Sequence, residues 1–125
     1  MKENERFSLR ARLRSFGYAF KGITVFFKQE HNALIHLLAT FVVVGLAFVF
    51  PLSGTEIILL VFVVGLVWIT ELINTAIEKI MDFISEERKP EIKFIKDLAA
   101  AAVLVAAVVA MSAGCIIFIP KLIHH

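Results

Sequence analysis

Three long apolar runs decide what this chain can become. The first extends from about Ala33 to Phe50 and is closed by a turn signal, Pro51, Ser53 and Gly54. The second opens near Glu56 and stays apolar to Ile69; the third extends from about Leu98 to Ile119, where Pro120 is expected to stop it. Each approaches the roughly 20 residues that a helix needs to cross about 30 Å of hydrocarbon. A chain of 125 residues that is 59% hydrophobic, with a mean hydropathy of +0.85, carries more apolar surface than one small globule can enclose. The bilayer must therefore act as solvent for much of it. No segment alternates with period two, which excludes a closed barrel. The expected fold is an all-α integral membrane protein. It has three transmembrane helices, at about 33–50, 56–78 and 98–119, and a surface helix at about 7–28, in a single domain spanning 1–125.

Orientation follows from the cations. Lys2, Arg6, Arg10, Arg12, Arg14, Lys21 and Lys28 precede the first span, and Lys79, Arg88, Lys89, Lys93 and Lys96 surround the second connection. The first connection has none, and the tail carries only Lys121. The positive-inside rule then puts the N-terminus and the second connection on the cytoplasmic side of the membrane. At about 100° per residue, Arg10, Arg14, Lys21 and Lys28 share one stripe, beside another formed by Leu9, Leu13, Phe16, Phe20, Ile23 and Phe27. That pattern predicts a helix lying in the membrane surface, cations toward anionic headgroups. A plain positive-inside anchor is the simpler alternative.

The second run ends in TELINTAIEKIMD, residues 70–82. On a helix, Glu71, Asn74, Glu78 and Asp82 fall within about 80° of one another. Such a stripe cannot face lipid, since one charge at the bilayer centre costs at least about 2.5 kcal/mol. Counted from Gly54, Glu71 falls near the inner boundary of the hydrocarbon, and Glu78 and Asp82 lie about 10 and 16 Å further along the axis. Asn74 as an interhelical hydrogen-bond partner and the acids as solvated residues would be the purely structural explanation. A coherent acidic stripe starting at the lipid surface instead suits Mg²⁺ bound together with substrate phosphates. Glu30, just before the first span, can add a second carboxylate at similar depth. Lys96, beside such a site, has an obvious partner in a nucleotide phosphate, and Asp97 fits the start of the third helix.

Several classes fall away. The single Cys115 offers no disulfide or metal framework, and a net charge of +2 without an aromatic-basic motif gives no reason to expect nucleic acid. No signal peptide is expected in the first 20 residues. His31 and His36, five apart, do not converge as metal ligands on a helix, and His36 reads as a packing or lipid-substrate residue. Neither a P-loop nor a kinase-type glycine loop is present, so nucleotide chemistry would need another scaffold. A row of Ala99, Ala102, Ala106, Ala110 and Ala113 promises close helix packing or assembly.

GYAFKGI (17–23), the Glu30 region, ELINTAIEKIMD (71–82) and KDLAAAAVL (96–104) together resemble the prokaryotic diacylglycerol kinase family. These are small three-helix membrane enzymes that include the undecaprenol kinases. The segment E-x-x-N-[ST]-A-I-E-x-x-x-D is the most specific part of the likeness. The resemblance implies Glu71 as general base toward a lipid hydroxyl, with Glu30 and Glu78 holding Mg²⁺ against ATP. It implies Asn74, Asp82, Lys96 and Asp97 as nucleotide-site residues, with Tyr18, Glu87 and Lys89 toward the adenosine end. It also implies a homotrimer with shared active sites. Many Gram-positive-type members have Arg-Ile-His where this chain has Leu34-Ile35-His36, so their lipid specificity is not carried over. The expected activity is transfer of the γ-phosphate of MgATP to diacylglycerol, giving phosphatidic acid, with undecaprenol as the alternative acceptor. A small transport or assembly subunit is the non-enzymatic alternative. The charge-free middles of the spans, around Val43, Leu60 and Ala107, speak against transport.

Overall fold

A computed structural model describes residues 8–124; Phe7, the expected first residue of the surface helix, and the basic Lys2 and Arg6 lie outside them. Four helices follow in order: α1 (Leu9–Gln29), α2 (His31–Val49), α3 (Gly54–Ile84) and α4 (Pro90–Ile123), with no strand among the described residues. Contacts divide the chain into two compact units, one ending at Ile35 and the other beginning at His36.

In the first unit, the Ser8 side chain caps α1 by accepting the Ala11 N–H at 3.0 Å. Gly17 and Gly22 do not interrupt the helix. Leu9, Leu13, Phe16 and Phe20 are all well exposed, and only Phe26 is buried. An exposed apolar stripe on a basic helix is what an interfacial lipid layer covers. The helix ends at Glu30, whose backbone is extended while its N–H still donates to the Phe26 carbonyl at 3.0 Å.

In the second unit, α2 leads through Pro51 to a capping box. The Ser53 hydroxyl accepts the Glu56 N–H at 3.2 Å, and the Glu56 carboxylate accepts the Ser53 N–H at 2.9 Å. Helix α2 is about 28 Å long, α3 about 46 Å and α4 about 51 Å, and all three are long and apolar enough to cross a membrane. The short connection at 85–89 makes α3 and α4 antiparallel neighbours. Their seam buries Leu60 and Val67 on one helix and Ala99 and Ala106 on the other, each pair seven residues apart. That is the spacing of knobs-into-holes packing, with alanine letting the backbones approach. Of the expected alanine row, Ala102 faces outward. Phe50, Leu60, Ile117 and Phe118 close one end of the unit, where Lys121 Nζ lies 3.2 Å from Glu56 Oε1. Lys96 Nζ lies 2.6 Å from Asp82 Oδ1 at the other end.

Helix α3 runs beyond the expected span end at 78 to Ile84 and so carries the whole stripe from Glu71 to Asp82. Two boundary expectations are corrected. Helix α4 starts at Pro90, well before Leu98, because proline suits a first helical position and the early turns are amphipathic, not apolar. Asp97 therefore lies inside α4, and Glu91 occupies the first turn. Pro120 does not stop the helix. Its missing N–H forfeits one bond, but its carbonyl accepts the His124 N–H at 3.1 Å and α4 runs to Ile123.

Candidate active site

A carboxylate removed from water must find a partner, because an isolated buried charge is costly. Glu71 is only 5% exposed, and it is the one charged residue so buried among the described residues. Its Oε1 accepts from His36 Nε2 at 2.8 Å. The His36 backbone is held in turn: the Thr40 hydroxyl donates to the His36 carbonyl at 2.7 Å and accepts from Trp68 Nε1 at 3.0 Å. The Trp68 and His36 rings meet edge to face, centroids 6.2 Å apart. Helical spacing explains the arrangement. His36 and Thr40 are one turn apart on α2, Trp68 and Glu71 one turn apart on α3, so two turns face each other.

One turn further along α3, Asn74 Nδ2 donates to Glu78 Oε1 at 3.3 Å. Asn74 Oδ1 is buried without a hydrogen-bond partner. An unpaired oxygen acceptor beside a carboxylate is a donor set that suits a hard cation, and Mg²⁺ commonly takes one or two carboxylates and completes its shell with phosphate and water. The residues present thus fit Mg²⁺. Among the described residues no group of three His, Cys, Asp or Glu side chains converges on a single point.

Beyond Glu78 the α3–α4 connection forms a polar depression of about 540 Å³. It gathers Asp82, Glu87, Lys89, Lys96 and Asp97, five of the expected nucleotide-site residues, together with Arg88 and Lys93. Lys96 pairs with Asp82, and Lys93 with Asp97 at 2.6 Å. These pairs are largely exposed, and such pairs are worth only about 0.2–1 kcal/mol, so an incoming polyphosphate can replace the acids at small cost. A second concavity, an apolar groove of about 510 Å³, is lined from α2 and α3 by residues including Val43, Ala47, Phe48, Ile57 and Val61, with Thr40 the single polar side chain in its lining.

The remaining expected residues belong to the first unit: Tyr18 is exposed on α1, and Glu30 is its C-cap. Sequence reasoning placed Arg88 only as part of the loop from Glu87 to Lys89, and passed over Thr40, Trp68 and Lys93 as site residues. A signal existed for two of them: Thr40 is i+4 from His36, and Trp68 is i−3 from Glu71. It also left His36 without its partner, because that contact joins two helices.

Residues 17–118 match the family described as prokaryotic diacylglycerol kinase. An undecaprenol kinase of Bacillus subtilis is 36% identical over 120 residues, covering 96% of this chain and 98% of its own. A diacylglycerol kinase of Synechocystis is 35% identical over 110 residues, 87% of this chain and 63% of that relative. A diacylglycerol kinase of Escherichia coli is 31% identical over 105 residues, 84% of this chain and 86% of its own.

Proposed function

Because this chain belongs to the prokaryotic diacylglycerol kinase family, and is a multi-pass membrane lipid kinase, we propose that it phosphorylates diacylglycerol to phosphatidic acid with MgATP. The observation that carries the reading is the buried Glu71, with one oxygen held by His36, on the helix that leads to a depression lined by cations and acids in equal number. Glu71 Oε2 takes no hydrogen bond among the described residues and is the atom that accepts the proton of the lipid hydroxyl. The hydroxyl oxygen bonds to the γ-phosphorus as the bond from that phosphorus to the β,γ-bridging oxygen breaks, releasing ADP. Lys96, Lys89 and Arg88 hold the polyphosphate, and positioning with charge neutralisation does most of the work. Glu78, Asn74 and Glu30 are the residues that would hold Mg²⁺, which when bound neutralises charge on the phosphates. The apolar groove supports a lipid acceptor, since it offers hydrocarbon chains a bed beside Thr40.

Undecaprenol is the second reading, favoured by one observation: the undecaprenol kinase aligns with this chain almost end to end. Purified protein in mixed micelles, given γ-labelled ATP and either lipid in separate reactions, tests both. Absence of Mg-dependent transfer to either lipid would sink the proposal. Glu71→Gln should lower kcat by about 10²–10⁴-fold in a folded protein, the usual contribution of general base catalysis. Full activity in that variant would remove Glu71 from the role.

The N-terminus and the α3–α4 connection are cytoplasmic in this reading, and the membrane is the bacterial inner membrane. Reporter fusions at the two termini and at the connection test the topology. The enzyme acts as a homotrimer, for which the outward Ala102 provides a point of close helix approach. Cross-linking in native membranes, read as the largest species formed, tests that number.

A further inference from the structure

We infer that His36 is a positioning residue for the transfer step: its Nε2–H fixes Glu71 Oε1, so that Oε2 is presented to the lipid hydroxyl. The inference rests on Glu71 being the base. A glutamate has three rotatable side-chain bonds, and a free one samples many orientations. Here one oxygen is tied at 2.8 Å, and the two side chains are 20% and 6% exposed, so water competes little for the bond. The tether is itself anchored. The Thr40 hydroxyl spends its proton on the His36 carbonyl and its lone pair on the Trp68 indole N–H. The edge of Trp68 against the imidazole restricts ring rotation. The sequence Trp68, Thr40, His36, Glu71 thus connects α3 to α2 and returns to α3, closing a loop around the base.

This role differs from contact with the lipid. The nitrogen nearest the site is already engaged by Glu71, so His36 has its effect on where the carboxylate sits. A misplacement of about 1 Å in a reacting group can cost about 10²-fold in rate. Loss of the tether therefore acts on turnover and leaves binding alone. Glutamine reaches as far as imidazole Nε2 and keeps an N–H donor, whereas leucine keeps bulk without a donor and asparagine falls short.

The test is steady-state kinetics of His36→Leu, His36→Gln and His36→Asn, alone and combined with Glu71→Gln, in mixed micelles with MgATP and the preferred lipid. His36→Leu should lower kcat by about 10- to 100-fold, with both KM values within about twofold. His36→Gln should recover most of the loss and His36→Asn little of it. In the Glu71→Gln background His36→Leu should cause no further loss, because both changes remove the same positioned group. Fluorescence of Trp68, the only tryptophan, reports whether each variant is folded. If His36→Leu does not fold, the Gln-against-Asn comparison decides the matter. A raised lipid KM at unchanged kcat would overturn the inference and make His36 a substrate contact. Equal losses in Gln and Leu would assign it to packing, and fully independent losses in the double variant would separate it from Glu71. Full activity in Glu71→Gln alone is a different failure, that of the base assignment.

Discussion

Lys96→Met isolates the nucleotide half of the site. Lys96 lies 2.6 Å from Asp82, with side-chain exposures of 36% and 58%, so the pair is hydrated and worth about 0.2–1 kcal/mol. A charge-assisted hydrogen bond from the same ammonium to a phosphate is worth about 1.5–3 kcal/mol. Exchanging the first for the second leaves a net gain of about 1–2 kcal/mol on nucleotide binding, lost in the variant. At about 1.4 kcal/mol per factor of ten, KM for MgATP should rise about 5- to 30-fold. The KM for lipid should not move, because Lys96 belongs to the polar depression and not to the groove between α2 and α3. Stability should change by less than about 1 kcal/mol, since Asp82 left alone is exposed and stays solvated. Initial rates against MgATP at saturating lipid provide the measurement. Lys121→Met is the control: it removes the same charge from the far end of α4, where the partner is Glu56 at 3.2 Å. An unchanged KM in Lys96→Met, or an equal rise in Lys121→Met, would refute the assignment of Lys96 to the phosphates.

Other substitutions probe the scaffold. Ala106→Leu forces three extra carbons into a seam where the alanine is 2% exposed, and should cost about 1–3 kcal/mol in detergent unfolding followed by Trp68 fluorescence. Ser53→Ala breaks the capping box of α3 and should cost about 1 kcal/mol in the same assay, with no change in either KM. Thr40→Val removes the acceptor of the Trp68 indole and the donor to the His36 carbonyl, and should destabilise by about 1–3 kcal/mol while lowering kcat. Chelating divalent cations with EDTA should abolish transfer, and added Mg²⁺ should restore it.

The architecture was legible because its determinants are one-dimensional. Apolar runs of membrane length and a proline-serine-glycine break mark helices whatever their neighbours do, and the acidic stripe of α3 depends only on its own periodicity. The boundaries that moved are those where apolar counting is the wrong measure. The opening turns of α4, from Pro90 to Asp97, are helical but amphipathic, and Pro120 sits close enough to the end that one lost hydrogen bond does not stop the helix. What was not legible depends on register between helices. His36 is a distant residue from Glu71 along the chain, and the turn at Pro51 to Ser53 decides which turn of α2 meets which turn of α3. The alanine row shows the same thing. Ala99 and Ala106 follow the seven-residue seam inward, while Ala102 rotates out, and choosing between them required knowing where α3 lies.

The two ion pairs that close the α3–α4 hairpin have a mechanical consequence. Glu56 and Asp82 are about 39 Å apart along α3, so the pairs mark the two ends of a packed strut that is longer than a hydrocarbon layer of about 30 Å. A strut of fixed length answers a thinner bilayer by tilting as a whole. Helix α2, at about 28 Å, already matches the hydrocarbon and has no reason to tilt equally. The difference in tilt becomes shear between α2 and α3, and the bond that crosses that plane at the base is His36 to Glu71. Turnover should therefore peak at one acyl-chain length and fall on either side, which makes bilayer thickness a setting on this enzyme as well as its solvent.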